Sequence, residues 1–169
     1  MSLESFCIHG VSAIIQRIIE GEKYILIQER QKGFDSPETG LIEVPCGKVK
    51  SGESVFDCIR SKVLIETGLS ITKIYGEENF EVIKFKDYNV LSYIPFFSSQ
   101  NTGDNYPLAM DTFICEADGL ALLESFDAKN IRWVTLNELK NMLIDSQDSF
   151  YPMIIEPLKH YLKSHWDYL

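Results

Sequence analysis

Apolar residues along this chain fall mostly into short runs of strand length, separated by polar turns. Residues 11–19 and 24–29 are two such runs, joined by Glu20-Gly21-Glu22, and they read as two strands about a turn. Further strands are expected at 41–44, 71–75, 80–85, 90–97, 112–116 and 131–134. Helical spacing takes over after residue 54. Phe56, Ile59 and Val63 form a stripe, Ser54 stands three residues before Asp57 as a capping signal, and Gly68 supplies the stop. Thr135 with Glu138 makes a capping box for a second helix running towards Ile144. Ile154, Leu158, Tyr161 and Leu162 mark a closing amphipathic helix, in a tail punctuated by Pro152 and Pro157. Residues 31–40 and 98–106 are loops by composition.

A length of 169 residues fits one domain, 1–169, with a real core, and 45% hydrophobic against 24% charged residues is ordinary for a globular protein. The formal charge of −9 argues against a nucleic-acid polymer as partner, because that footprint needs basic patches to displace counterions. A small nucleotide stays compatible. Cys7, Cys46, Cys58 and Cys115 contain no C-x-x-C pair, and with His9, His160 and His165 they make no zinc-like grouping. Reduced thiols, no signal-peptide pattern and no membrane-length apolar run point to a cytoplasmic protein without a membrane partner.

The stretch 43–69, EVPCGKVKSGESVFDCIRSKVLIETGL, resembles the box of the Nudix hydrolase family, G-x5-E-x7-R-E-U-x-E-E-x-G-U with U aliphatic. Gly47, Glu53, Val63, Glu66, Gly68 and Leu69 match it. Ser61-Lys62 stands where the family has Arg-Glu, and Ile65 where it has the penultimate glutamate. Arg60 lies one place early. A second resemblance is Ile131-Arg132-Trp133-Val134 leading into a Glu-Leu helix, preceded by an acidic loop with Glu124 and Asp127.

The resemblance implies an α/β fold: a Nudix-type α/β/α sandwich with a mixed β-sheet. It implies a pyrophosphohydrolase acting on a nucleoside diphosphate linked to another moiety, assisted by Mg or Mn. Such hard cations take oxygen ligands. By the same resemblance Glu66, Glu53 and the carbonyl of Cys46 are the metal candidates. Glu66, Glu53 and Glu124 are the catalytic ones, and Arg30, Phe34 and Glu43 contact substrate, with Lys32 a further phosphate contact. A homodimer is among the assemblies it allows.

Residues 62, 65 and 66 share an arc of about 100° on a helix, and here that arc carries Lys62, Ile65 and Glu66 facing the loop. Lys62 is spaced to pair with Glu66, and its ammonium can stand where a metal otherwise would, weakening or abolishing metal binding. Two functions therefore stay open: an impaired hydrolase, or a catalytically silent nucleotide-binding or regulatory module.

Overall fold

The structure is a computed structural model and describes residues 4–33 and 35–166. Strands β1 (Ile8–Ile19) and β2 (Glu22–Arg30) pair antiparallel. The two residues between them, Glu20 and Gly21, both have left-handed φ, 51° and 82°. That conformation matches the twist of a two-residue hairpin. Along β2, Ile25, Leu26, Ile27 and Gln28 are all fully buried, so this strand is covered on both faces and reads as a run instead of an alternation.

The remaining strands are β3 (Ile42–Glu43), β4 (Cys46–Lys48), β5 (Ser70–Ile74), β6 (Ile83–Phe85), β7 (Tyr88–Val90), β8 (Phe97–Gln100), β9 (Leu108–Asp118) and β10 (Ala128–Thr135). The main sheet runs β10-β2-β1-β9-β5, with β3 on β2, β4 on β1 and β8 on β9. β1 and β9 are parallel and the other pairs antiparallel, so the sheet is mixed.

Helices α1 (Val55–Thr67), α2 (Leu136–Asp145) and α3 (Pro152–Trp166) complete the fold. Side-chain alternation on the central strands divides the core in two. Val11, Ala13, Ile15 and Leu26 pack with Phe56, Ile59 and Val63 of α1. Ile14, Ile25 and Ile27 pack with Leu139 of α2 and with Ile154, Leu158 and Tyr161 of α3. Each such side chain contributes about 1.5–3 kcal/mol when fully buried. The result is the expected α/β sandwich, and no described helix is long and apolar enough to cross a membrane.

Two local expectations change. Residues 98–100, expected as loop, continue the strand from Phe97, and 46–48, where no strand was expected, form β4, because β1 and β9 offer free ladder positions to them. Residues 80–97 do not form two long strands. They fold back as β6 and β7, a separate hairpin whose Ile83, Phe85, Tyr88 and Val90 share one exposed face. Pro157 lies inside α3, within the stretch expected as the closing helix. The buried residues that follow it, Leu158, Tyr161 and Leu162, keep that helix on the sheet despite the lost backbone bond.

Candidate functional site

Local sequence builds the frame of the site. Ser54 caps α1 by accepting the Asp57 backbone N–H at 3.0 Å, and Gly68 ends it at φ 74° with its N–H on the Leu64 carbonyl. Glu53 holds the preceding turn: its carboxylate accepts the Lys50 N–H at 3.0 Å. Gly52 has φ 78° with open space around it, so its role is conformational. Gly47 serves a different purpose. A Cβ there would fall 2.4 to 2.7 Å from Cγ, Cδ and Cε of Lys62, so the absent side chain is what lets the lysine stem lie across β4.

The inward face of α1 carries Ile59, Val63 and Glu66 in its buried set, with Lys62 at the rim of a cavity of about 380 Å³. Ile65 does not face that cavity, contrary to expectation, and it is 57% exposed. The stripe that packs on the sheet centres on Ile59, Val63 and Glu66, and Ile65 is displaced about 100° from Glu66 on the outer side. The expected pairing of Lys62 with Glu66 is also missing among the described residues. Glu66 turns instead towards β2. Arg60 points away and grips Glu77 through two bonds of 2.7 and 2.5 Å.

Beneath the cavity lies a buried polar network that crosses from β2 to α1. Gln28 Nε2 donates to Glu66 at 2.7 Å and to Glu43 at 3.3 Å. Arg30 pairs with Glu43, reaches Glu38 at 2.9 Å, and stacks on the Tyr151 ring at 4.0 Å. Glu43 is 2% exposed, not the exposed strand residue that β3 would give in isolation. The cause is register: β3 lies on β2 with Glu43 opposite Gln28. Burial, and after it the Glu43 charge, raises the Glu66 carboxyl to about 7, while the bonds from Gln28 and the Cys46 backbone N–H oppose the rise. Burial, with Glu43 and Glu66 behind it, pushes the Cys46 thiol well above its ordinary value, which leaves it no thiolate character at neutral pH.

Of the residues singled out from the sequence, Glu66, Cys46 and Arg30 line the cavity. Glu43 lies under it, tied to Arg30 and Gln28. Glu53 belongs to the turn before α1, and Glu124 is exposed on its loop; neither lines the cavity. Asp127, the other acid of that loop, does reach it. Phe34 lies outside the described residues. Gln28, Tyr106 and Tyr151 are additions that the linear pattern did not single out. A polar residue closing the buried run Ile25-Leu26-Ile27 was the available signal for Gln28.

A divalent magnesium or manganese ion needs several oxygen donors around one point. The residues present do not fit it. Glu43 is satisfied by Arg30 and Gln28, Glu66 accepts from Gln28, and a lysine replaces the next box carboxylate. Among the described residues no three His, Cys, Asp or Glu side chains gather as a metal would require.

The NUDIX domain family model matches residues 9–154 of this chain. Among solved structures, the chain is similar to a MutT protein from Methanosarcina mazei Go1, with TM-score 0.65 and 18% identity, covering 97% of this chain and 99% of that one. It is also similar to the E. coli ORF135 protein, with TM-score 0.63, 19% identity and coverage of 93% and 89%. A third is the NUDIX domain of Shewanella oneidensis NrtR complexed with ADP ribose, with TM-score 0.59, 11% identity and coverage of 82% and 79%. No curated protein sequence matches. At these identities the structures speak for the fold alone, and the match over residues 9–154 carries the assignment: the chain belongs to the Nudix family.

Proposed function

We propose that this domain binds a small nucleoside diphosphate derivative, of the kind exemplified by ADP-ribose, without cleaving it. The observation that carries this reading is Lys62, seated across Gly47 at the cavity rim where the family's box has a glutamate. Hydrolysis of a phosphoanhydride on this fold calls for a carboxylate cluster to hold a metal and direct water. Here a single box carboxylate, Glu66, reaches the cavity, and burial raises its carboxyl to about 7. It is therefore partly protonated at neutral pH and can donate a hydrogen bond to a phosphate or ribose oxygen. Tyr106 at the cavity mouth offers an aromatic face. The NrtR domain that resembles this chain was solved with ADP ribose, which supports the choice of ligand class.

Dinucleotides, nucleotide sugars and nucleoside triphosphates, each tested for phosphate release with magnesium and with manganese and for thermal stabilisation, decide the matter. The expected result is stabilisation by at least one diphosphate compound, about 2.7 kcal/mol at a hundredfold excess over its Kd, with no turnover. Metal-dependent phosphate release that disappears in Glu66→Gln would overturn this reading in favour of a pyrophosphohydrolase.

A further inference from the structure

The chain carries a formal charge of −9, yet one cavity concentrates its cations. Arg30, Lys32, Lys48, Lys50 and Lys62 line it, against Glu66 and Asp127. They come from five separate places: the end of β2, the loop after it, β4, the turn before α1, and α1 itself. Arg30 is already occupied by Glu43 and Glu38. The four lysines are not. Among the described residues no carboxylate lies within 4.0 Å of any of their ammonium groups.

Clustered cations that outnumber the acids beside them and pair directly with none repel one another, so the arrangement costs stability unless an anion joins them. Two of the lysines are also positioned. The stem of Lys62 occupies the space that a Cβ on Gly47 would fill, and Lys48 Nζ sits 4.8 Å from the centre of the Tyr106 ring. The donors are ammonium groups, which suit phosphate oxygens and cannot ligate a metal. This is the reverse of the charge pattern that a metal-dependent site requires.

We propose that Lys32, Lys48, Lys50 and Lys62 hold the diphosphate of the ligand directly, so that binding needs no divalent cation and magnesium weakens it. The inference rests on the nucleotide-binding reading above and adds the sign of its metal dependence. A magnesium ion on the diphosphate cancels part of the charge that the lysines attract and brings a further cation towards them. In a chain of formal charge −9, four lysines and one arginine gathered at one cavity give a polyanion a place to approach.

The experiment is calorimetric titration of the full chain with ADP, once in EDTA and once in excess magnesium chloride, with inorganic pyrophosphate as a second probe. The expected result is binding in EDTA, weaker binding with magnesium, and a loss of about tenfold in Lys62→Gln, the size of one charge-assisted contact. Lys159→Gln, at the distant pair with Glu156 on α3, leaves the affinity unchanged if the cavity and not the overall charge is responsible. Lys50→Gln provides a second cavity variant should Lys62→Gln fail to fold. ADP binding that appears only with magnesium or manganese would overturn the inference while sparing nucleotide binding. No binding of ADP in either buffer would overturn both. Pyrophosphate binding as well as ADP locates recognition in the diphosphate, and equal losses in Lys159→Gln and the cavity variants would refute the lysine site.

Discussion

Replacing Glu66 by glutamine changes one atom of a side chain that is 5% exposed. The Gln28 donor, 2.7 Å from Glu66 Oε2, can still meet a carbonyl oxygen in the variant. What disappears is the titration. In the folded protein burial holds the carboxyl at about 7, against 4.5 for the unperturbed group. The fold therefore favours the protonated form. Its stabilising effect is complete below about pH 4.5 and is lost as pH rises through about 7. At about 1.4 kcal/mol per pH unit over that interval, the loss is on the order of 3 kcal/mol. Glutamine, always neutral, does not incur it. Urea denaturation in EDTA, followed by tryptophan fluorescence between about pH 5 and 8, measures the difference. The variant is expected to be the more stable by about 1 kcal/mol near pH 5, widening to about 3 kcal/mol near pH 8. Parallel profiles across that range would refute the claim that a buried, proton-retaining carboxyl sits under the cavity.

Two further outcomes follow from the packing of the site. Arg30→Met leaves Glu43 buried without its cation and is expected to destabilise by about 3–5 kcal/mol, most of it regained in Arg30→Met with Glu43→Met; equal losses in the single and double variants, read from urea midpoints, would contradict a paired burial. Gly47→Ala is expected to cost about 1 kcal/mol in thermal unfolding because its methyl displaces the Lys62 stem, and adding Lys62→Ala should restore stability; a cost that persists in the double variant would mean that backbone conformation, not space, demands the glycine.

Features with a local physical cause were legible in the chain. Helix α1 begins at Ser54 and stops at Gly68 because a hydroxyl cap and a left-handed glycine act on neighbouring backbone groups. The capping box of Thr135 and Glu138 is likewise present, with Glu138 accepting the Thr135 N–H at 2.7 Å. The turn at Glu20-Gly21 and the apolar runs on either side gave the central hairpin. Within the site, the box spacing led to Cys46, Gly47, Lys62 and Glu66, all of which line one cavity.

Other features depend on neighbours far along the chain. Helical spacing alone groups Lys62, Ile65 and Glu66, but the sheet that covers Ile59 and Val63 sets the rotation of α1 and leaves Ile65 outside. Glu43 became a buried partner of Arg30 only through the register of β3 on β2. Of the two acids Glu124 and Asp127, the path of the loop into β10 chose which reaches the cavity.

By itself the sequence determined the family, the limits of α1, the start of α2 and the two missing box carboxylates, since each is written in residue identity and short spacing. Tertiary structure alone decided that Glu66 bonds to Gln28 and not to Lys62, and that four lysines from distant segments meet with no carboxylate within 4.0 Å of their ammonium groups among the described residues. Hydrogen bonding and Coulomb forces act over a few ångströms in space, and only the folded sheet fixes which residues stand that close.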